Sequence, residues 1–389
     1  MRLILFNVLL LIAAILQHSC IEPYIPDNQN DFVPRIVVEG LMTDESENQT
    51  IKLSYTSRID SLKYSPVSGC FVEVFDNLGN CYSFQELYPG NYEGIIPLHN
   101  LLPGREFQLH FITTNGDEYE SNFEKFNPCP AIESIHYIMD TRETSDPLVS
   151  FQGLQFYYDF YGSEEFDRYF RLTVEETWEY RAKYPITVYY SYGFQKTKAD
   201  SSLFFCYNTN SINDIFLIST KGFEKNEYVN YQLHFVDNQT QRLKYKYSLL
   251  IKQYSISEAA HSFWVNLEKN NQQSGGLFET QPAVVEGNIN CINAPNESVL
   301  GYFGVSSVNE KRIFVEKPDG ITFIEEYSCE PSKPNFEGGW PGNLTPDEWP
   351  IYFIYYFDIY AENTILGIAP QECFDCTKRG GTTHKPNFW

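Results

Sequence analysis

The chain has 389 residues, enough for two domains at the usual size of roughly 100–200 residues each. With 28 Lys+Arg against 51 Asp+Glu, a formal net charge of −23, it lacks the basic surface that nucleic-acid phosphates or anionic lipids require. A hydrophobic fraction of 42% excludes wholesale disorder, and 29 Tyr with 30 Phe favour half-buried strands, so a mainly β protein is expected.

The N-terminus sets the compartment. Arg2 is a minimal positive region, and Leu3 to Leu16 is apolar apart from Asn7. The run is too short to span a membrane comfortably and reads as a secretory signal. Its cleavage site falls at Cys20, which resembles a bacterial lipoprotein signal: residues 1–19 are removed and Cys20 becomes the acylated N-terminus. Residues 20–33, with Pro23 and Pro26, read as a stiff, polar tether. No later segment offers about 20 consecutive apolar residues, so no other span is expected.

Residues 34–126 read as an immunoglobulin-like β-sandwich. Ile51, Leu53 and Tyr55 alternate with polar residues, as do Val72 and Val74, Tyr82 and Phe84, and Phe107, Leu109 and Phe111. Turn signals such as Pro103-Gly104 and Asn115-Gly116 punctuate them. A turn centred on Asn77-Leu78-Gly79 sets Val72 and Val74 against Phe84 and Tyr82. Cys70 then shares their face and Cys81 takes the other, which disfavours a bond between the two. Asp60-Ser61-Leu62 resembles a short envelope O-glycosylation motif. The stretch Asn127-Pro128-Cys129-Pro130 marks a boundary.

Residues 131–389 read as a larger β-rich domain with a disulfide-stapled C-terminal segment. One prominent helix is expected at about 256–270. Ser255 and Glu258 have capping-box spacing, and Ile256, Ala259, Ala260, Phe263, Trp264 and Leu267 share a face. Tyr189-Tyr190-Ser191-Tyr192-Gly193-Phe194 and Tyr352-Phe353-Ile354-Tyr355-Tyr356-Phe357 carry aromatics at both strand parities. One parity suffices for a core, so Tyr189, Tyr190, Tyr192, Tyr352, Tyr355 and Tyr356 are candidates for a ligand or partner surface.

Catalytic motifs are missing from the sequence: no zinc-binding His-Glu-x-x-His, no nucleophile elbow, no phosphate-cradling glycine loop. The expectation is no catalytic residue, no metal and no cofactor. Cys373-x-x-Cys376 lacks a second ligand pair at a familiar zinc spacing, so it reads as structural. With Cys20 acylated, eight cysteines remain, an even number that permits about 105 pairings.

Several stretches together resemble a Bacteroidota outer-membrane lipoprotein family, domain of unknown function 4249. They are Cys20-Ile-Glu-Pro-Tyr, Val37-Val38-Glu39-Gly40, Tyr247 to Ser255, Val285-Glu286-Gly287-Asn288-Ile289 and Val299-Leu300-Gly301-Tyr302-Phe303, with the closing Cys373 to Trp389. The resemblance implies a lipoprotein of the outer membrane, displayed on the cell surface and commonly encoded beside a TonB-dependent receptor. It also implies that Cys206, Cys329, Cys373 and Cys376 form two disulfides, with Cys70, Cys81, Cys129 and Cys291 as local additions. The expected role is a non-enzymatic accessory that captures ligand for, or docks on, such a transporter. A structural or adhesive surface protein is the alternative, and a secreted hydrolase the third.

Overall fold

A computed structural model describes residues 32–58, 63–146, 150–190, 193–272, 284–323, 328–334, 351–360 and 362–389. Cys20 with the signal, most of the tether, Asp60-Ser61-Leu62 and Tyr192 lie outside the described residues. Within them the protein is mainly β, with one α-helix.

Strand β1 (Ile36–Thr43) buries every second residue, and β2 (Asn48–Tyr55) pairs with it antiparallel. The sandwich continues through β3 (Ser65–Pro66), β4 (Phe71–Asp76), β5 (Cys81–Tyr88), β6 (Asn91–Ile95), β7 (Glu106–Ile112), β8 (Glu118–Ser121) and β9 (Glu124–Lys125). β5 changes sheets: its first half pairs with β4 and its second with β6. Both halves fold over one core that includes Val38, Leu53, Val74, Tyr92 and Phe111.

In the β4–β5 hairpin Val72 stands opposite Phe84 and Val74 opposite Tyr82, the register that alternation predicts. Cys70 and Cys81 carry no disulfide. Gly79 turns the chain at φ 86°, and the Asp76 carboxylate accepts from the backbone N–H of Leu78 (2.9 Å) and Asn80 (3.0 Å). Burial pushes the Asp76 pKa up, but hydrogen bonds from Asn80, Leu78 and Tyr82 outweigh it and bring the value down to about 2. Arg105 pairs with the same carboxylate. A depressed carboxylate stabilises the fold above its unfolded pKa, and that stability is lost as pH falls through the folded value. Asp76→Asn is expected to cost about 2 kcal/mol near neutral pH. It should also flatten the acid limb of stability as pH drops from about 4 towards 2, measured by urea unfolding.

Residues 34–126 do not close this sandwich alone. Ile289–Cys291 (β18) pairs with β8, and Leu300–Ser306 (β19) runs parallel to β1 from Val37↔Leu300 to Thr43↔Ser306. Ile289, Cys291, Val299, Phe303 and Val305 enter its core. The division of the chain at 126/131 therefore needs correcting for a return of the chain. A parallel pairing has no hairpin turn to signal it, and here the chain between β1 and β19 holds the rest of the first sandwich and all of the second but β20.

That second sandwich sets β10 (Ile132–Glu143), β11 (Ser150–Tyr161) and β16 (Glu227–Asp237) against a four-stranded sheet. The latter has β12 (Tyr169–Arg181) between β15 (Phe205–Ser219) and β17 (Tyr247–Ser255), with β20 (Val308–Val315) outside β17. Phe156, Phe160, Phe170, Leu249 and Ile251 fill the space between. A small third sheet has the order β14 (Phe194–Asp200), β13 (Ile186–Tyr190), β21 (Ile351–Asp358), β22 (Asn363–Ile368).

The helix α1 (Glu258–Gln272) packs on β12, β15 and β19. Its cap is Ser257, whose Oγ accepts from the Ala260 N–H at 3.1 Å, two residues past the expected Ser255. Ser255 instead completes β17, and its carbonyl accepts from Ser306 Oγ at 2.7 Å. The shift leaves Ala259 exposed, while Ala260 and Phe263 are buried and Trp264 and Leu267 half-buried.

Candidate functional site

Three of the stretches that carry the family resemblance meet where α1 crosses the edge of the first sandwich. They are β1, residues 285–289 and β19. Gly301 has φ 88°, and a β-carbon on it would lie 2.0 Å from the Val38 carbonyl oxygen. One on Gly287 would lie 1.6 Å from the Gly301 carbonyl oxygen. Only glycine admits such approaches. Buried Asn288 then stands in for a neighbouring strand, donating to the Phe303 carbonyl (2.8 Å) and accepting from the Phe303 N–H (3.0 Å).

Between this junction and the helix lies a groove of 770 Å³. Phe263, Trp264 and Leu267 form one wall, and Val37, Leu300 and Tyr302 face them. Arg171 enters from β12, with its guanidinium 3.8 Å from the centre of the Trp264 ring. Burial lowers its pKa, with Tyr254 partly opposing the shift. Its neighbours in register are Tyr254 and Leu217, and among the described residues no carboxylate pairs with it. Glu39 and Lys52, register partners on β1 and β2, are exposed residues of the same lining and carry opposite charges. Among the described residues Arg171 is the charge beside the helix without an acid partner, and the lining of Arg171, Lys52 and Glu39 carries one net positive charge in a mainly apolar cleft. Such a cleft can hold an amphipathic molecule of modest size.

Tyr302, on the groove wall, donates its hydroxyl to Glu124 at 2.5 Å, and Asn288 donates to the same carboxylate at 3.3 Å. Burial raises the Glu124 pKa, against lowering by hydrogen bonds from Tyr302, Ser257 and Asn288. A raised carboxylate binds its proton more tightly folded than unfolded. Its contribution is complete below the unfolded pKa and is lost as pH rises through the folded one. Wild-type stability should therefore decline across that window, and Glu124→Gln should remove the decline in urea-unfolding midpoints measured against pH.

The two aromatic stretches are brought together as adjacent strands, with Tyr189 opposite Tyr352 and Tyr190 opposite Ile351. Tyr352 is buried beside Ile186 and Phe374, and Tyr189 packs against that cluster. Tyr190 and Tyr356 are half-buried, and Tyr355 is exposed with Lys196 over its ring at 5.7 Å. Part of the candidate set is thus core. The open surface lies further along, at the β21–β22 turn, where Phe357, Ile359 and Tyr360 are 61%, 71% and 93% exposed.

Beneath this sheet Cys206 bonds to Cys376 and Cys329 to Cys373. The Cys-x-x-Cys halves thus reach two distant segments. The Tyr180 hydroxyl donates to the Cys376 carbonyl (3.0 Å) and accepts from the Gly381 N–H (2.8 Å). A cavity of 540 Å³ opens nearby, but its Arg181 is paired with Glu179 at 2.7 Å. His110 is held by Glu118 at 2.8 Å, and His261 packs on Tyr169 with ring centres 4.9 Å apart. No group of three or more His, Cys, Asp or Glu among the described residues is placed to hold a metal. None of their helices is long and apolar enough to cross a membrane.

Sequence reasoning missed Arg171 and assigned Trp264 only to packing. Arg171 shares the strand face of Tyr169 and Thr173, and that face becomes a site only once α1 lies over it.

No curated protein matches the chain. Among solved structures, a DUF4785 family protein from Legionella pneumophila is similar at 10% identity and a TM-score of 0.18. The match covers 56% of this chain and 51% of that one, about half of its length. The family model for domain of unknown function DUF4249 matches residues 21–312, and the chain belongs to that family.

Proposed function

We propose that the protein is a non-enzymatic, lipid-anchored outer-membrane lipoprotein that captures a ligand for a TonB-dependent transporter. The observation that carries the reading is the mainly apolar groove with Arg171, which has no acid partner among the described residues. Acyl chains on Cys20 would hold the protein at the membrane. Fifteen residues lie between Cys20 and Ile36, so the tether reaches at most about 55 Å. The groove, built partly on β1, would stay within that reach of the bilayer. Confinement raises effective concentration, so weak capture and weak docking suffice. The choice of partner follows from the expectation that members of this family are commonly encoded beside TonB-dependent receptors.

Affinity purification from outer membranes in mild detergent is expected to bring down a TonB-dependent receptor. Cys20→Ala should release the protein from the membrane fraction. Repeated recovery of the anchored protein alone would end the accessory reading. The exposed Phe357, Ile359 and Tyr360 favour a second reading, an adhesive surface protein. Its signature would be loss of cell binding in a deletion strain with nutrient uptake unchanged.

A further inference from the structure

We infer that the groove under α1 binds a monoanionic amphiphile, an apolar body ending in one carboxylate, with Arg171 as the carboxylate receptor. The inference rests on the ligand-capture reading and names the class of ligand. Stacking on Trp264 leaves the edge of the guanidinium as the part able to bond. That edge carries parallel N–H donors that match a carboxylate. A half-buried cation without an acid partner is less well solvated than a free one, and an incoming carboxylate would offset that cost. This is notable in a chain of net charge −23, where acids are plentiful and none among the described residues forms an ion pair with Arg171. The charged residues of the lining are Arg171, Lys52 and Glu39, a net charge of +1, which matches one negative charge on the ligand. The apolar residues Val37, Leu267, Leu300 and Phe263 would take the body of the ligand, and 770 Å³ suits a medium-length chain or a few apolar residues.

Titration calorimetry on the complete mature chain carrying Cys20→Ser tests this with two pairs of probes. Decanoate is compared with decanol, and acetyl-trileucine as the free acid with its amide. At least one acid is expected to bind ten-fold or more tightly than its neutral partner, and the pair that does so tells a fatty acid from a peptide terminus. Arg171→Gln should abolish that preference and leave the neutral probe unchanged, while Arg171→Lys should keep part of it. The midpoint of thermal unfolding checks that both variants fold. Equal binding of acid and neutral probe, no binding of either acid at millimolar concentration, or wild-type preference in folded Arg171→Gln would overturn the inference. Co-purification with a transporter alongside any of these results would leave the accessory reading standing.

Discussion

Replacing Cys206 and Cys376 with serine is expected to destabilise the C-terminal region, and by more than the same change at Cys329 and Cys373. The bond closes a loop of 170 residues, and Cys329–Cys373 one of 44. Loop-closure entropy gives about 5 and about 4 kcal/mol for the two. The local core explains why these bonds matter. The cluster under the third sheet holds Ile186, Cys329, Tyr352, Cys373 and Phe374, so two of its five buried members are a cystine. A core of that size supplies little by itself. Other contacts on the C-terminus include the Tyr180 hydroxyl on Cys376 and Gly381, the Tyr207–Thr382 backbone pair (2.8 and 2.9 Å) and Trp389 packing on Tyr207 and Phe314. Without Cys206–Cys376 these contacts should open locally while both sandwiches persist. Limited proteolysis should then cut after about residue 370, and hydrogen exchange in β21 and β22 should quicken. An unchanged cleavage pattern in the double-serine variant would show that the bond contributes little.

Alternation made the strands of the first sandwich legible down to the register of Val72 with Phe84. It failed on β15, whose central Asn208-Thr-Asn-Ser-Ile-Asn-Asp214 reads as a turn-rich loop. Pairing with β12 along Tyr169 to Arg181 overrides those local preferences. The helix was legible from its apolar spacing, but its cap was not, because Ser255 and Ser257 both precede it and only the end of β17 decides between them. Arg171 could not be found for a related reason. A charged residue between Phe170 and Leu172 reads as the solvent side of a strand. Its burial depends on α1, some ninety positions later, folding back over it. Sequence patterns record which face a residue takes and not what covers that face.

Phe303→Ala is expected to cost about 3–5 kcal/mol, as for a large aromatic lost from a packed core. Phe303 is 0% exposed, and its ring fills the space beside Gly40, where a β-carbon would stand 3.1 Å from it. The comparison substitution is Phe314→Ala on β20, 41% exposed, for which a cost below about 1 kcal/mol is expected because little area leaves the core. The same reasoning gives a larger effect for truncation. A fragment of residues 34–126 lacks β18 and β19, and with them Ile289, Cys291, Val299, Phe303 and Val305. It exposes the outer edge of β1 to solvent and removes the neighbour that covers Val38. Such a fragment should show no cooperative urea transition and weak near-ultraviolet dichroism, whereas a chain extending through residue 306 should show both. A sharp transition in the short fragment would mean that β1 to β9 fold without the returning strands. If they do not, the first sandwich must wait for strands made after most of the second. The parallel pairing of Val37 with Leu300 is then a late contact of high sequence separation, and refolding should be slow. Phe303→Ala should slow it further only if that pairing is already formed at the barrier.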